Sequence, residues 1–527
     1  MGRKLPTGIQ SFEKLRKDGY AYVDKTSLVY DLAQTSLPYF LSRPRRFGKS
    51  LLVSTLRTYF EGRGDLFEGL AIERLEEEGA IKEGRISWQS RPVFHLSFNS
   101  GDYTRVGALE AKLESLLTQL EASWGTTAGA IAPGDRFLSL LKLAHEKSGH
   151  RVAVLVDEYD KPLLEAVRDA ALEEGNRATL KGFYGALKDA DEHLRFVLIT
   201  GVTKFSKVSI FSDLNQLRDI SMSEAYAEVC GITETELLAE FGPELDALAT
   251  KQELSREEAL EALRAQYDGY LFHPSGPGVY NPYSLLCALA ERELDSYWFE
   301  TGTPTFLVER MRDVGLEPHR LTDGSVYATG RRLSDYRADD PDPIPLLFQT
   351  GYLTISAYDR RSRRYTLTVP NGEVEQGLLE SLLPAWAPGY GEARGTDVFT
   401  LWDLVEAGDT DGIRRVIEAL FASIPYTRAD DPFENYFQAV IWLVFALLGH
   451  YVSCEVHQAR GRVDVVVEAC AHVYVLEFKR DGTATEALAQ IERKGYAAIF
   501  AADSRKLHLV GCAFDSKTRR MSGWEER

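Results

Sequence analysis

Ser-Arg-Pro-Arg-Arg-Phe-Gly-Lys-Ser-Leu-Leu, residues 42–52, is the stretch from which the fold of this chain can be read. Gly48-Lys49-Ser50 closes the pattern G-x-x-x-x-G-K-[ST], a loop that wraps phosphates. The pattern asks for a glycine at position 43, where this chain carries Arg43. A short apolar run over 37–42 precedes the loop and predicts a strand. The run 50–60 has helical periodicity, with Leu51, Leu52, Leu56 and Phe60 available to one face. Strand, loop, then helix is the context the motif requires. Its physics needs backbone N–H groups around an anion at a helix N-terminus, where the helix dipole favours negative charge. It also needs a lysine on the outer phosphates and a hydroxyl on Mg²⁺, which Lys49 and Ser50 supply. Gly48 permits close backbone approach. Arg43 restricts the loop entrance without removing the donors.

A second motif supports the first. Residues 151–158, R-V-A-V-L-V-D-E, read as a buried strand ending in two carboxylates. In P-loop ATPases the first acid holds Mg²⁺ through water and the second polarises the attacking water. Asp157 and Glu158 suit those roles, although a strand ending in acidic caps for the next helix has the same letters. A further strand, F-V-L-I-T-G-V-T-K (196–204), brings Thr200, Thr203 and Lys204 to its end. Thr203 is taken as the nucleotide-sensing side chain among them.

Bulk properties set the class. The chain has 527 residues, enough for three or four domains at about 100–200 residues each. Its 44% hydrophobic and 27% charged residues are those of a globular protein and not a disordered one. No apolar run approaches the ~20 residues that span a bilayer, and the N-terminus has no apolar signal region. The expectation is a cytoplasmic protein without a membrane partner. Cysteines 230, 287, 454, 470 and 512 lack C-x-x-C spacing, so buried thiols are expected and a zinc site is not. A net charge of −18 argues against a protein coated in nucleic acid but permits a local basic groove.

Strands are expected at 39–42, 92–97, 152–156 and 195–200, with amphipathic helices at 107–122, 135–146 and 173–190. Apolar strands separated by helices imply an α/β domain with a parallel sheet covered on both faces. From 226 to 340 the pattern is mainly helical, and the proline-rich stretch 336–345 suits a boundary or exposed loop. Residues 346–355 and 365–370 read as two strands around the basic turn 359–364, as in a winged helix or any β-hairpin. No internal repeat is visible. The resulting division is a P-loop ATPase domain (1–225), a helical lid region (226–340), a winged-helix-like region with linker (341–425) and a C-terminal domain (426–527).

Several strings carry a resemblance. G-I-Q-S-F-E-K-L (8–15), Y-V-D-K-T (22–26), S-R-P-R-R-F-G-K-S (42–50), V-D-E-Y-D-K-P (156–162) and T-G-V-T-K-F-S-K-V-S-I-F-S-D-L-N (200–215) resemble the bacterial AAA-ATPase-like family. So do Y-D-G-Y (267–270), Y-N-P-Y-S-L-L (280–286), Y-W-F-E-T-G-T-P-T-F-L (297–307) and F-Q-T-G-Y-L-T-I (348–355). The resemblance covers nearly the whole chain. It implies that Arg43 is that family's usual form, that ATP and Mg²⁺ are the cofactors, and that a nuclease-like domain follows. AAA-type sites are often completed by a neighbouring subunit's arginine, so a homo-oligomer is also in view.

The C-terminal stretch G-R-V-D-V-V-V-E-A-C-A-H-V-Y-V-L-E-F-K-R (461–480) tests the last implication. Its β-type runs 463–467 and 473–479 suggest a hairpin. Glu477 and Lys479 stand two apart on one strand and so share a face, and Asp464 lies on the neighbouring strand. An Asp, a Glu and a Lys among valines incur a desolvation cost that a purely structural strand avoids. Mg²⁺ bound by Asp464 and Glu477, with Lys479 orienting the attacking water, would offset it. This D…E-x-K arrangement resembles the PD-(D/E)XK nuclease superfamily, whose fold is a restriction-endonuclease-like α/β domain. Glu434, at the start of E-N-Y-F-Q-A-V-I-W-L-V-F, sits where that fold often carries a further acidic ligand. Gln490, Lys494 and Tyr496 match its Q-x-x-x-K-x-Y trailer, although Gln and Lys one turn apart are also ordinary surface residues. Glu455 is a weaker member, and His472 reads as a strand-end surface residue.

Together these readings give an ATP-binding, metal-dependent nuclease whose nucleotide state gates cleavage of nucleic acid, DNA rather than RNA. The competing reading is a nucleotide-dependent switch whose nuclease-like domain only binds nucleic acid or a protein.

Overall fold

The computed structural model describes residues 3–126, 132–205, 216–298, 305–334, 340, 342–386, 397–422, 436–447, 451–458, 461–500, 502–515, 518 and 520–527. They fall into two compact units, Met1–Thr301 with Val326–Val374 and Gly302–Ser325 with Glu375–Arg527.

The first unit is built on five strands: β1 (Pro38–Ser42), β2 (Val93–Ser97), β3 (Val152–Asp157), β4 (Leu194–Gly201) and β5 (Arg218–Asp219). They lie in the order β2-β3-β4-β1-β5, and every neighbouring pair is parallel. Every residue of β3 is buried, which is why its sequence runs apolar without alternation until Asp157. Parallel strands need long crossovers, supplied by helices such as Lys49–Phe60, Ala108–Trp124, Pro133–Ser148 and Ala170–Asp189. Since all five strands run the same way, the loop leaving β1 and the acids ending β3 fall on one edge of the sheet. That edge is where ligands bind in open α/β sheets.

Helices Glu234–Glu240, Gly242–Lys251, Arg256–Tyr267 and Pro282–Glu291 follow and share a core that includes Leu237, Leu245, Leu263 and Leu285. Capping boxes at Thr233/Glu236 and Ser255/Glu258 fix two of their starts. Next comes an antiparallel sheet of β6 (Val326–Thr329), β7 (Thr354–Asp359) and β8 (Arg364–Thr368), in the order β6-β8-β7. The hairpin around 359–364 is present, but the first half of the strand expected over 346–355 is helix, Ile344–Thr350, and only its last two residues join β7. A short apolar run cannot distinguish a buried helix from a buried strand. Here Pro345 favours a helix start, and Gly351 at φ +92° ends the helix in the left-handed conformation. A side chain at Gly351 would also collide with Pro44 of the loop after β1. Half of the expected boundary at 336–345 lies outside the described residues, and its end, from Ile344, opens the helix Ile344–Thr350.

The second unit holds the mixed sheet β13-β12-β11-β10-β9, comprising β9 (Tyr451–Gln458), β10 (Gly461–Glu468), β11 (His472–Arg480), β12 (Lys506–Asp515) and β13 (Arg520–Glu526). Only β11 and β12 pair in parallel, joined by a crossover that contains helix Ala484–Lys494. Leu488 and Ile491 of that helix pack on Val466, Val473 and Val475.

Among the described residues no helix is long and apolar enough to cross a membrane. Cys230, Cys287 and Cys512 are buried free thiols as expected, whereas Cys470 is exposed in the tight turn between β10 and β11. Cys454 lies where side chains are not described.

Candidate functional sites

The loop between β1 and helix Lys49–Phe60 turns through two left-handed residues, Arg46 (φ 68°) and Gly48 (φ 87°). Such reversals direct successive N–H groups into a concavity that suits an anion. The helix has no acid in its first turn, so its dipole is free to favour a phosphate.

Arg43 explains the missing glycine. Its guanidinium is buried and donates to the carbonyls of Ser42 (2.9 Å), Ser221 (2.7 Å) and Tyr226 (2.9 Å), and it lies 3.9 Å from the Phe272 ring centroid. Burial lowers its pKa to about 10. The side chain thus ties the loop entrance to the segment after β5 and takes no part in the anion cradle.

Lys49 is buried and donates to the carbonyls of Arg43 and Pro44, both at 2.9 Å. Burial pulls its pKa below the usual lysine value, opposed by the charges of Glu158, Asp157 and Asp160. The Ser50 hydroxyl donates to Asp157 Oδ2 at 2.7 Å, and Thr200 holds the other carboxylate oxygen at 2.8 Å. A hydroxyl and a carboxylate already in contact are the donor pair that a hard cation such as Mg²⁺ would share. Glu158 is half-buried with φ 54°, a left-handed conformation unusual for its type, and burial raises its pKa. Gly48, Lys49, Ser50 and Glu158 line one cavity of about 530 Å³, with Arg45 and Arg46 at its exposed side.

Two of the sensor candidates point elsewhere. The Thr203 hydroxyl donates to Asp160 Oδ2 at 2.7 Å, and the residue is fully buried. The backbone N–H groups of Val202 and Thr203 converge on the same carboxylate. Lys204 pairs with Asp219, and its backbone N–H donates to Gln349 Oε1 at 2.7 Å. Asp160, the third acid of V-D-E-Y-D, escaped the sequence reading. It lines the cavity and fixes the loop after β4. Its only signal was an acid in an otherwise buried segment.

In the second unit, β10 and β11 pair antiparallel with Val465 opposite Leu476. That register brings Asp464 beside the end of β11, where its Oδ2 accepts the Phe478 N–H at 2.8 Å. Glu477 is buried, and Lys479 Nζ lies 3.4 Å from its Oε1. Gln490, from helix Ala484–Lys494, joins them. Its amide donates to Glu477 Oε1, while its Oε1 accepts from Lys479 at 2.9 Å. The other oxygen of Glu477, Oε2, is buried without a hydrogen-bond partner. Burial, then the Asp464 charge, raises the Glu477 pKa to about 7. A buried carboxylate oxygen without a donor, beside a second carboxylate, fits a cation. Among the described residues no group of three His, Cys, Asp or Glu side chains could hold a metal. Two carboxylates nonetheless suit Mg²⁺, which usually keeps several waters.

Tyr496 is buried and packs in the core with Leu488 and Ile491, so this letter of the trailer is structural. Lys494 ends the helix half-exposed. Glu434 lies outside the described residues, as does the side chain of Glu455. His472 is not a simple surface residue. Its Nδ1 lies 2.9 Å from Nε2 of buried His508, whose Nδ1 is 2.6 Å from Glu526 Oε1. Strands β11, β12 and β13 assemble that chain of contacts, which no single strand's sequence reveals.

Residues 6–211 match the family model described as "Predicted AAA-ATPase", and residues 432–524 match the PD-(D/E)XK nuclease superfamily. A protein of Azotobacter chroococcum mcd 1, described as "Uncharacterized protein in vnfD 5'region", is 40% identical over 532 residues. The alignment covers 99% of this chain and 98% of that protein.

Proposed function

The chain belongs to the predicted AAA-ATPase family and carries a C-terminal domain of the PD-(D/E)XK nuclease superfamily, and on that premise we propose that it is a nucleotide-controlled, metal-dependent nuclease. The observation that carries the reading is the buried, partnerless Oε2 of Glu477 beside Asp464 and Lys479. Glu244 and Asp268 also carry a buried oxygen without a partner, but only Glu477 has a second carboxylate and a lysine beside it, and that combination supports a cation site.

In the first unit, Lys49 and the N–H groups of the loop would hold the phosphates of ATP, Lys49 on the outer ones. Ser50 and Asp157 would hold Mg²⁺, and Glu158 would polarise the attacking water. In the second unit, Asp464 and Glu477 would hold the divalent cation. Bound there, it supplies charge neutralisation at the scissile phosphate and a more acidic water. Lys479 orients the nucleophile, and Gln490 fixes both Lys479 and Glu477 in place. The state of the first site gates the second. DNA is the expected polymer, and the segments 1–225, 226–340, 341–425 and 426–527 are the working parts. A cytoplasmic setting and assembly of several copies, with an arginine from a neighbour completing the ATP site, belong to the same reading.

The test is cleavage of a mixed DNA and RNA panel with Mg²⁺ or Mn²⁺, with and without ATP. Wild type, Lys49→Ala and Lys479→Ala are compared. Metal-dependent cutting lost in Lys479→Ala, with ATP turnover retained, is the expected result. Loss of cutting in Lys49→Ala would establish the gating. No cutting under any condition, with ATP binding intact, would favour a switch that only binds.

A further inference from the structure

The basic turn of the β7–β8 hairpin belongs to neither site. Residues 359–364 read Asp-Arg-Arg-Ser-Arg-Arg, a concentration of positive charge in a chain of net charge −18. The register pairs Asp359 with Arg364, so Arg360, Arg361, Ser362 and Arg363 form the tip, and all four are exposed. None of the three tip arginines has a carboxylate within ion-pair distance among the described residues. The nearby acid is consumed by the turn itself: Asp359 Oδ1 accepts the Arg361 N–H at 2.8 Å, and Oδ2 accepts the Ser362 hydroxyl at 2.7 Å. Arg363 sits at φ 54°, a left-handed position that favours glycine or asparagine. An arginine there bears a conformational cost that glycine would avoid.

The surroundings extend the patch. Arg364 lies over the Tyr327 ring at 4.3 Å from its centroid, and that ring is 43% exposed. Exposed Arg331 follows β6, whose last residue, Thr329, pairs with Arg364. Tyr358 and Tyr365 hold the hairpin by a cross-strand ring contact of 4.5 Å. The tip is therefore a braced, narrow, multiply cationic projection with an aromatic ring at its base.

We propose that this hairpin tip grips the phosphate backbone of a nucleic-acid duplex, with Arg360, Arg361 and Arg363 on phosphates and without sequence preference. Planar guanidinium forks match phosphate oxygens bidentately, and a row of them matches a polymer with a regular anionic repeat. A scattered acidic protein surface offers no such repeat. This inference rests on the nucleic-acid reading above and adds where the substrate is held.

The experiment measures binding of full-length protein to a labelled mixed-sequence DNA duplex by fluorescence anisotropy, in chelator so that nothing is cut, across a salt series. Arg360→Ala/Arg361→Ala/Arg363→Ala should weaken binding at least about tenfold near physiological salt and reduce the log–log salt slope by about 2.7, three phosphate contacts' worth. Lysine replacements at the same positions keep the charges and should restore most of that slope. Unchanged affinity and slope in the alanine variant, with wild type still binding duplex, would overturn this placement and leave the nuclease reading intact. Failure of wild type to bind duplex, single strand or RNA would instead overturn the nucleic-acid reading itself. Wild-type affinity for polyglutamate equal to that for duplex would overturn the phosphate assignment in favour of an acidic protein. Equal weakness of the lysine and alanine variants, with a lowered melting temperature, would make the loss structural and overturn it as well.

Discussion

Lys479 Nζ stands 3.4 Å from Glu477 Oε1, yet Glu477 keeps its pKa near 7 and its second oxygen without a partner. Attraction to one ammonium offsets only part of the cost of burying this carboxylate next to Asp464. The lysine side chain is 29% exposed, so water screens much of its charge, while Glu477 is almost wholly enclosed.

A pH dependence follows from that imbalance. The folded protein holds a proton on Glu477 up to about pH 7, whereas the unfolded chain releases it near the ordinary value of 4.5. The contribution is favourable below the unfolded value and is lost as pH rises through the folded one. Metal-free protein should therefore lose on the order of 3 kcal/mol of stability across that window. Added Mg²⁺ should raise the melting temperature more at about pH 8 than at about pH 5, and Glu477→Gln should remove the difference. Calorimetry showing the same Mg²⁺ shift at both pH values would count against the cation site.

Gln490 is a positioning residue, because its amide holds Glu477 and Lys479 together. Gln490→Ala should lower the cleavage rate roughly 10–100-fold and weaken metal binding by a similar factor. The acid limb of the pH–rate profile should move, because Glu477 loses a donor. A change in KM alone, with the profile fixed, would reduce Gln490 to a substrate contact.

Arg43→Gly restores the usual first letter of the loop, and the structure predicts that it harms the protein. The carbonyls of Ser221 and Tyr226 would lose their buried donor, and a cavity would open under Phe272. Each unsatisfied buried group costs about 1–3 kcal/mol. Urea unfolding should show a loss of at least ~2 kcal/mol, and Arg43→Lys should recover little, since one ammonium cannot reproduce the guanidinium fork. Unaltered stability in Arg43→Gly would refute the anchoring role.

Thr203→Val tests whether that hydroxyl senses nucleotide. Its bond goes to buried Asp160, so the change should cost ~1–2 kcal/mol of stability and leave the KM for ATP within about twofold. A large rise in KM at unchanged stability would return Thr203 to the nucleotide site.

Four of the five strands of the first sheet were legible in the sequence, most plainly where burial on both faces writes itself as uninterrupted apolar letters, whereas β5, only two residues long, was not. Val152–Asp157 is the clearest case, and the terminal acid marks where the strand meets the ligand edge. The shared face of Glu477 and Lys479 was equally legible, since side chains two apart on a strand point the same way. The helix Ile344–Thr350 was not, because its apolar run is too short for periodicity to separate helix from strand.

By itself, then, the sequence determined the type of most long elements, the two motifs and the residues each motif nominates. Those depend on spacing along the chain. Only the tertiary structure decided which groups are each other's partners. It gave Arg43 to carbonyls as far as 184 positions away in the chain, Thr203 to Asp160, and Gln490 to both Glu477 and Lys479. It also left Glu477 Oε2 buried with no partner. A hydrogen bond depends on distance and angle in the folded chain, and charge burial on what packs above it, and neither quantity is local in sequence.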